Sequence, residues 1–416
     1  MPSADHAHTT VAYITKEVGS GSFLRGVHAY GSSAMVVVLI LHLTQTFVYG
    51  SYKGRRELLW SSGCVLAALV IAMAFSGYLL PWDQKAYFAT AVGTNIAGEV
   101  PLIGGMAKLF MRGGADMGTL TLSRFFVFHV FLIPGFVFVF VAAHVYLFRK
   151  AGAAGPVEED PVRPELPTER FYPRQVLMDL AFGLILIGAL GAVAYFVPIE
   201  LGPKANPADT LYVPRPEWYY LPIFQWLKYW TGPYVIVGVV VIPSIIALLV
   251  VGLPFIDRRP ERRPWKRPVA VTFFGALLLS LFVLGGLSYR DDTLDVGIAM
   301  QLAKQQAETE EFMQAPFEPE ESAPSLAVAR VAAEDPLAAQ GRDVYEVEFC
   351  SGCHGDGGVG TPVGSALLGI GTRLSGENLD SLLRTPTPVM EDGGMFALEI
   401  PDEEMDALVA YLVSLE

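Results

Sequence analysis

Three cysteines in 416 residues leave no room for a disulfide framework. Two of them, Cys350 and Cys353, stand directly before His354, a spacing that belongs to another chemistry. Charge is scarce as well: Asp, Glu, Lys and Arg make up 17% of the chain against 52% hydrophobic residues, which excludes an ordinary soluble enzyme. The scarcity is uneven. From Asp291 to Glu416 there are 25 acidic and 5 basic residues, a net of 5 − 25 = −20, so the tail is expected to be a separate acidic, soluble unit. No nucleic-acid partner is expected of such a chain. No signal peptide opens the sequence.

What is present in abundance is apolar run length. Six segments, roughly 24–49, 61–81, 125–148, 176–198, 233–256 and 269–289, each approach the ~20 residues needed to cross a hydrocarbon core. The expected fold class is all-α: a transmembrane helical bundle followed by a small all-α domain. The connections YKGRRE (52–57), FRK (148–150) with RPELPTERFYPR (163–174), and DRRPERRPWKRP (257–268) are basic, which puts them on the cytoplasmic side. Loops 82–124 and 199–232 and the acidic tail then lie outside. Residues 1–23 must lie outside too, although no span precedes them to deliver them. The topology therefore asks for a further helix, from an earlier start of the chain or from a separate small subunit. Residues 296–336 read as a Pro- and Glu-rich linker.

Four histidines fall within the spans: His28 and His42 on the first, His129 and His144 on the third. A polar ring in lipid is costly unless it is paired or ligates something. At ~1.5 Å per residue, gaps of 14 and 15 put the members of each pair roughly 21–22 Å apart and within ~60° of one face. Two such helices facing each other make two stacked bis-histidine sites, an arrangement suited to haem b. Gly63 and Gly77 on the second span are also 14 apart, as close approach to a macrocycle would require; small residues for helix packing are the plainer reading. Arg25 and Arg124, at the outer ends of the His-bearing spans, suit haem propionates or interfacial anchoring equally. Cys64 is expected to be plain packing.

Cys350–His354, CSGCH, is the attachment motif of a covalent haem c, with His354 as one axial ligand. The sixth ligand is expected late in the domain, at Met395 in preference to Met390, while Met405 is expected to pack on its helix. Covalent haem attachment occurs outside bacterial membranes, which agrees with the charge-derived topology.

The stretches RGVHAYGSSAMVVVLILH, GYLLPWDQKAYFATAVGTNIAGEVPLIG, LSRFFVFHVFLIPGFVFVFVAAH and PEWYYLPIFQWLKY together resemble cytochrome b of quinol:cytochrome c reductases. The resemblance is to the split type, with the subunit IV part and a mono-haem cytochrome c fused in one chain. It covers residues 11 to about 290, and the tail is similar to a cytochrome c. It implies a cytochrome b part at 1–155 lacking the usual first helix, a subunit IV-like part at 156–295, and a cytochrome c domain at 337–416. It implies two non-covalent haems b, the outer held by His28 with His129 and the inner by His42 with His144. It also implies a Rieske iron-sulfur partner, a homodimeric complex, and a multi-pass place in the cytoplasmic membrane with the haem c domain outside. Quinol would be oxidised at an outer pocket that includes Pro216–Tyr219, and one electron would cross to a quinone at the inner face. The split type's extra covalent haem is not assigned, since Cys64 is not at the matching position.

Glu217 sits on the outer side among prolines and aromatics, as a proton acceptor for quinol should. A solvated residue, or a partner of Arg215, is the competing reading. Tyr219 is expected beside Glu217. The acidic tail either aids solubility or steers a basic cytochrome c acceptor. A di-haem membrane anchor wiring a dehydrogenase to the quinone pool is the alternative function. It would not need the Pro-Glu-Trp-Tyr loop or the three later spans. A non-redox scaffold would leave five placed haem ligands unexplained.

Overall fold

The computed structural model describes residues 2–155, 157, 171–209, 211–319, 335–348, 350–360, 364–392 and 395–415. Its contacts divide the chain into two compact units, Met1–Glu318 and Pro319–Glu416. No strand forms among the described residues beyond one isolated bridge, Asp83 with Lys204.

Among the described residues of the first unit, six helices are long and apolar enough to cross a membrane: Gly21–Val48, Glu57–Tyr78, Thr119–Ala151, Phe171–Phe196, Gly232–Val251 and Pro268–Leu294. The protein is a multi-pass membrane protein. Leu41, Phe138, Phe182, Leu248 and Phe282 point outward from the bundle, as apolar side chains in lipid do when the helix satisfies its own backbone. A short helix α1 (Ala7–Lys16) leads into α2 (Gly21–Val48), which is followed by α3 (Glu57–Tyr78). The third span is compound: α6 (Thr119–Val127) and α7 (Ile133–Ala151) are joined by a π turn at Phe128–Leu132. Pro134 is the physical cause. It has no N–H to offer the Val130 carbonyl, and the bonding slips so that the Ile133 N–H reaches the Phe128 carbonyl, five residues back. Pro243 follows a second π turn, Val237–Val241, in the same way.

Between α3 and α6 the chain makes a helical hairpin, α4 (Gln84–Gly98) and α5 (Gly104–Arg112). Asp83 caps α4 through the Ala86 N–H at 2.8 Å and also takes the Gly202 N–H at 3.2 Å, which fastens the loop after α8 (Val176–Phe196) to the hairpin. Arg112 closes the hairpin on Thr94 at 2.9 Å and Asn95 at 3.0 Å. The Pro-Glu-Trp-Tyr segment runs into α9 (Leu221–Leu227); α10 (Ile242–Val251), α11 (Leu253–Ile256) and α12 (Pro268–Leu294) complete the spans.

At the opposite end the basic loops are held by a buried ionic cluster. The Lys53 ammonium donates to Asp257 at 2.7 Å and to the Arg259 and Glu261 carbonyls at 2.8 Å each. Arg267 donates to the Tyr52 hydroxyl at 2.9 Å and to the Phe47 and Val48 carbonyls, and Tyr52 donates to Asp257 at 2.6 Å. Burial pushes the Asp257 carboxyl up, but hydrogen bonds from Lys53, Tyr52 and Arg267 outweigh it and hold the group below its ordinary value. Cys64 packs against the Phe47, Tyr52, Trp60 and Leu253 cluster beside this network, as the sequence suggested.

One expectation needs correction. The segment 296–336, read as a linker, begins with a 19-residue helix, α13 (Val296–Gln314). Its apolar residues are diluted by Gln and Glu, which hid a helical stripe. Residues 320–334 of that segment, and 158–170 of the second basic connection, lie outside the described residues.

In the second unit, α14 (Pro336–Val347) packs on the terminal helix, labelled α17 (Asp402–Ser414), with α15 (Cys350–His354) and α16 (Gly376–Arg384) between them in sequence. Its core is Tyr345, Leu379, Leu383, Met405, Leu408, Tyr411 and Leu412. Met405 is fully buried there.

Candidate haem-ligand and outer-face sites

The structure brings His28 and His129 together. The His28 and His129 rings are 6.1 Å apart, centre to centre, with planes at 88°. A metal–imidazole bond of ~2 Å plus ~1 Å from nitrogen to ring centre puts two trans ligands of one ion ~6 Å apart, so the spacing fits a single iron between them. His42 and His144 are likewise within electrostatic reach of each other.

The matching of a 14-residue gap to a 15-residue gap has a structural cause. The π turn at Phe128–Leu132 contains His129 and continues toward His144, and such a turn absorbs one extra residue in an otherwise regular helix. Fifteen residues on α7 therefore keep pace with fourteen on α2.

Helix α3 presents a repeated Ser-Gly pair to the second histidine of each site. The Ser76 hydroxyl donates to the Met73 carbonyl at 3.0 Å, so toward His129 Nδ1, 3.3 Å away, it can only accept. His129 Nδ1 also lies 3.0 Å from the Met73 carbonyl. Ser62 repeats the arrangement: it donates to the Leu59 carbonyl at 2.8 Å and lies 2.9 Å from His144 Nδ1. Both imidazoles must carry the proton on Nδ1, which leaves the Nε2 lone pair for a metal. His354 follows the same rule, with Nδ1 2.8 Å from the Ser365 carbonyl. A Cβ added at Gly77 would come within 2.8 Å of His129 Nδ1 and 3.0 Å of Nε2, and one at Gly63 within 3.3 Å of His144 Cε1. Each glycine thus makes room for a histidine ring. Sequence reasoning found the glycines and missed the serines, although the Ser-Gly repeat was in plain sight.

Arg25 and Arg124 both engage backbone at the outer ends of their spans. Arg25 donates to Thr15 at 2.6 Å and to the Glu200 carbonyl at 3.4 Å; Arg124 donates to the Phe110 carbonyl and stacks over that ring at 5.3 Å. In the second unit, Cys350 and Met395 flank one core cluster, and the Met395 N–H donates to the Met390 carbonyl at 2.9 Å.

Glu217 is paired, though not with Arg215. Lys85 of α4 donates to it at 2.8 Å, while Arg215 forms a two-nitrogen pair with Asp292 at the end of α12. Neither partner was legible, because Lys85 is 132 residues away in sequence. Tyr78, one residue past Gly77, has a buried hydroxyl without a partner among the described residues and lies within electrostatic reach of Glu217. The carboxylate is therefore on the side of the His28–His129 pair. Burial, then the Glu217 charge, pushes the Tyr219 phenol up to about 12, so at neutral pH it is a hydrogen-bond donor.

Comparison with known proteins gives a consistent assignment. The family described as "Cytochrome b(N-terminal)/b6/petB" matches residues 33–203, and "Cytochrome b(C-terminal)/b6/petD" matches 204–304. "Cytochrome C oxidase, cbb3-type, subunit III" matches 336–412. A cytochrome bc complex cytochrome b subunit of Chlorobaculum thiosulfatiphilum is 35% identical over 287 residues, 68% of this chain and 66% of that one. Cytochrome b/c1 of Bradyrhizobium diazoefficiens is 34% identical over 69% of this chain and 42% of its own length. The chain thus spans less than two thirds of these two relatives. Cytochrome b of Rickettsia prowazekii is 34% identical, with 69% and 72% covered. A solved structure titled "Hyperthermophilic respiratory Complex III" superposes with a TM-score of 0.61 at 27% identity, over 76% of this chain and 84% of that one.

Proposed function

Since this chain belongs to the cytochrome b family and carries a cytochrome c domain at its C-terminal end, we propose that it is the membrane subunit of a quinol:cytochrome c oxidoreductase. His28 with His129 and His42 with His144 would hold two haems b. Cys350, Cys353 and His354 would hold haem c, with Met395 as its second axial ligand. When bound, these groups would supply one-electron transfer, by which one electron from quinol would cross the membrane to a quinone and the other would leave by a Rieske partner toward the second unit. Cytochrome c is the acceptor beyond it, and the complex works as a homodimer in the cytoplasmic membrane, releasing protons outside.

The residues of this chain divide the work accordingly. Ser62 and Ser76 hold the Nδ1 protons, so that each imidazole offers Nε2. Quinol oxidation to quinone gives up two protons with its two electrons, and Glu217 takes a proton from the quinol hydroxyl. Lys85 balances the carboxylate between turnovers. The Tyr219 hydroxyl, protonated at neutral pH, orients the substrate as a donor, and the unbonded Tyr78 hydroxyl is free to meet it.

The observation that supports the reading is the Lys85–Glu217 ion pair at 2.8 Å, whose ammonium lies 5.8 Å from the centre of the Tyr78 ring, one residue past the glycine that cradles His129. A di-haem anchor has no use for that carboxylate. Glu217→Gln should retain every haem in redox-difference spectra and slow quinol oxidation at least tenfold. Unchanged turnover would remove the residue from the mechanism.

A further inference from the structure

Helix α13 starts within two residues of the end of α12, capped by Asp295, whose carboxylate accepts the Ile298 N–H at 3.0 Å. Its half-buried residues Ile298, Leu302, Gln305, Thr309 and Phe312 recur at spacings of four and three, which is one helix face. Exposed Lys304 and Glu308 pair across 3.6 Å on another.

The inner face grips loops rather than spans. The Gln305 amide pairs with Val213 in both directions: the Val213 N–H donates to Oε1 at 3.1 Å, and Nε2 donates to the Val213 carbonyl at 3.2 Å. Gln306 donates to Glu200 at 3.2 Å. Lys16 of α1 donates to the Phe312 and Ala315 carbonyls, with its ammonium 4.1 Å from the centre of the Phe312 ring. Helix α1, the loop after α8, and the approach to Glu217 therefore meet on one element. Asp292, just before α13, takes the Arg215 guanidinium midway between Val213 and Glu217.

We propose that α13 is a strap that sets the outer pocket, with Gln305 and Asp292 as positioning residues for chemistry at Glu217; this rests on the outer-site reading above. Among the described residues of 197–220 no regular helix or strand forms apart from the bridge at Lys204, so within that stretch Glu217 is held only by the turn that takes its carbonyl to the Tyr220 N–H at 2.8 Å. Gln305 of α13 supplies backbone partners at Val213, and Asp292 of α12 holds the Arg215 side chain. Displacements of about 1 Å in a reacting group can cost two orders of magnitude in rate, so holding the segment at Val213 and Arg215 acts on the reaction through Glu217.

The test uses the assembled complex. Gln305→Leu keeps size and helix preference and removes both bonds to Val213. Amide exchange over residues 211–220 should quicken roughly tenfold, and the quinol KM should rise with haem content unchanged. Gln305→Glu, which keeps the acceptor for the Val213 N–H and loses the donor to the Val213 carbonyl, should restore only part of both. Gln305→Asn serves if the Leu variant does not assemble. Exchange at the parental rate in Gln305→Leu overturns the strap. Faster exchange with unchanged KM and kcat, in a complex where Glu217→Gln does slow turnover, overturns the positioning role and leaves the outer site standing. Turnover that survives Glu217→Gln overturns the reading on which the proposal rests.

Discussion

Alanine at Gly77 and at Gly63 should have opposite consequences, although the two glycines stand in the same repeated motif. At Gly77 the new methyl would come within 2.8 Å of His129 Nδ1 and 3.0 Å of Nε2. The ring cannot simply yield, because Nδ1 is fixed on Met73 and Ser76. Overpacking of this kind costs ~1–3 kcal/mol, and here the strain falls also on Nε2, the nitrogen that would hold haem in the proposed reading. At Gly63 the nearest approach is 3.3 Å, to His144 Cε1, which a shift of a few tenths of an ångström relieves. Replacing a mid-helix glycine by alanine also gains ~1 kcal/mol of helix preference, so the net effect at Gly63 is near zero. Gly77 lies one residue before the end of α3, where little of that gain is available. In the proposed reading, haem c held by the second unit would provide an internal standard. In redox-difference spectra of the purified complex, the ratio of b to c haem should fall from about two to about one in Gly77→Ala and stay near two in Gly63→Ala. Equal losses, or the greater loss at Gly63, would refute the cradle geometry.

Two further outcomes follow from the same contacts. Ser76→Ala removes one acceptor from His129 and leaves Met73 in place, whereas Ser62→Ala removes the Ser62 contact to His144, so the midpoint potential of the inner haem should shift more than that of the outer; potentiometric titration reads both. Asp257 is held below its ordinary value in the fold, so its contribution is present above the unfolded carboxylate pKa and is lost as pH falls through the lower folded value. Melting temperature in detergent should therefore drop at acid pH, and Asp257→Asn, which leaves the buried Lys53 and Arg267 without their counter-ion, should cost ~3–5 kcal/mol at neutral pH; an unaltered melting temperature would show that the carbonyl contacts alone hold the cluster.

Six spans, both histidine pairs and the CSGCH motif were legible because each is a local pattern of run length or spacing. The π turn was half legible. Pro134 announces a disturbed helix, but only the bonding pattern shows that the disturbance absorbs the fifteenth residue. The partners of Glu217 and Arg215 were not legible at all, since ion pairing between segments 77 to 132 residues apart leaves no trace in local composition. Helix α13 was misread for a related reason. Its buried stripe includes Gln305 and Thr309, polar residues that face inward because they satisfy loop backbone, and a search for apolar periodicity passes over them.

The fourteen-residue period shared by α2 and α3 also has an electrical meaning. At ~1.5 Å per residue it separates the two histidine pairs by ~21 Å along the helix, about 0.7 of a ~30 Å hydrocarbon core. In the proposed reading, an electron passed from one pair to the other moves toward the negative side of an energised membrane through most of the voltage drop. With ~2.3 kcal/mol per charge for each 100 mV, that step meets an opposing ~1.6 kcal/mol. The spacing written into two helices thus fixes how strongly the membrane voltage can hold back turnover.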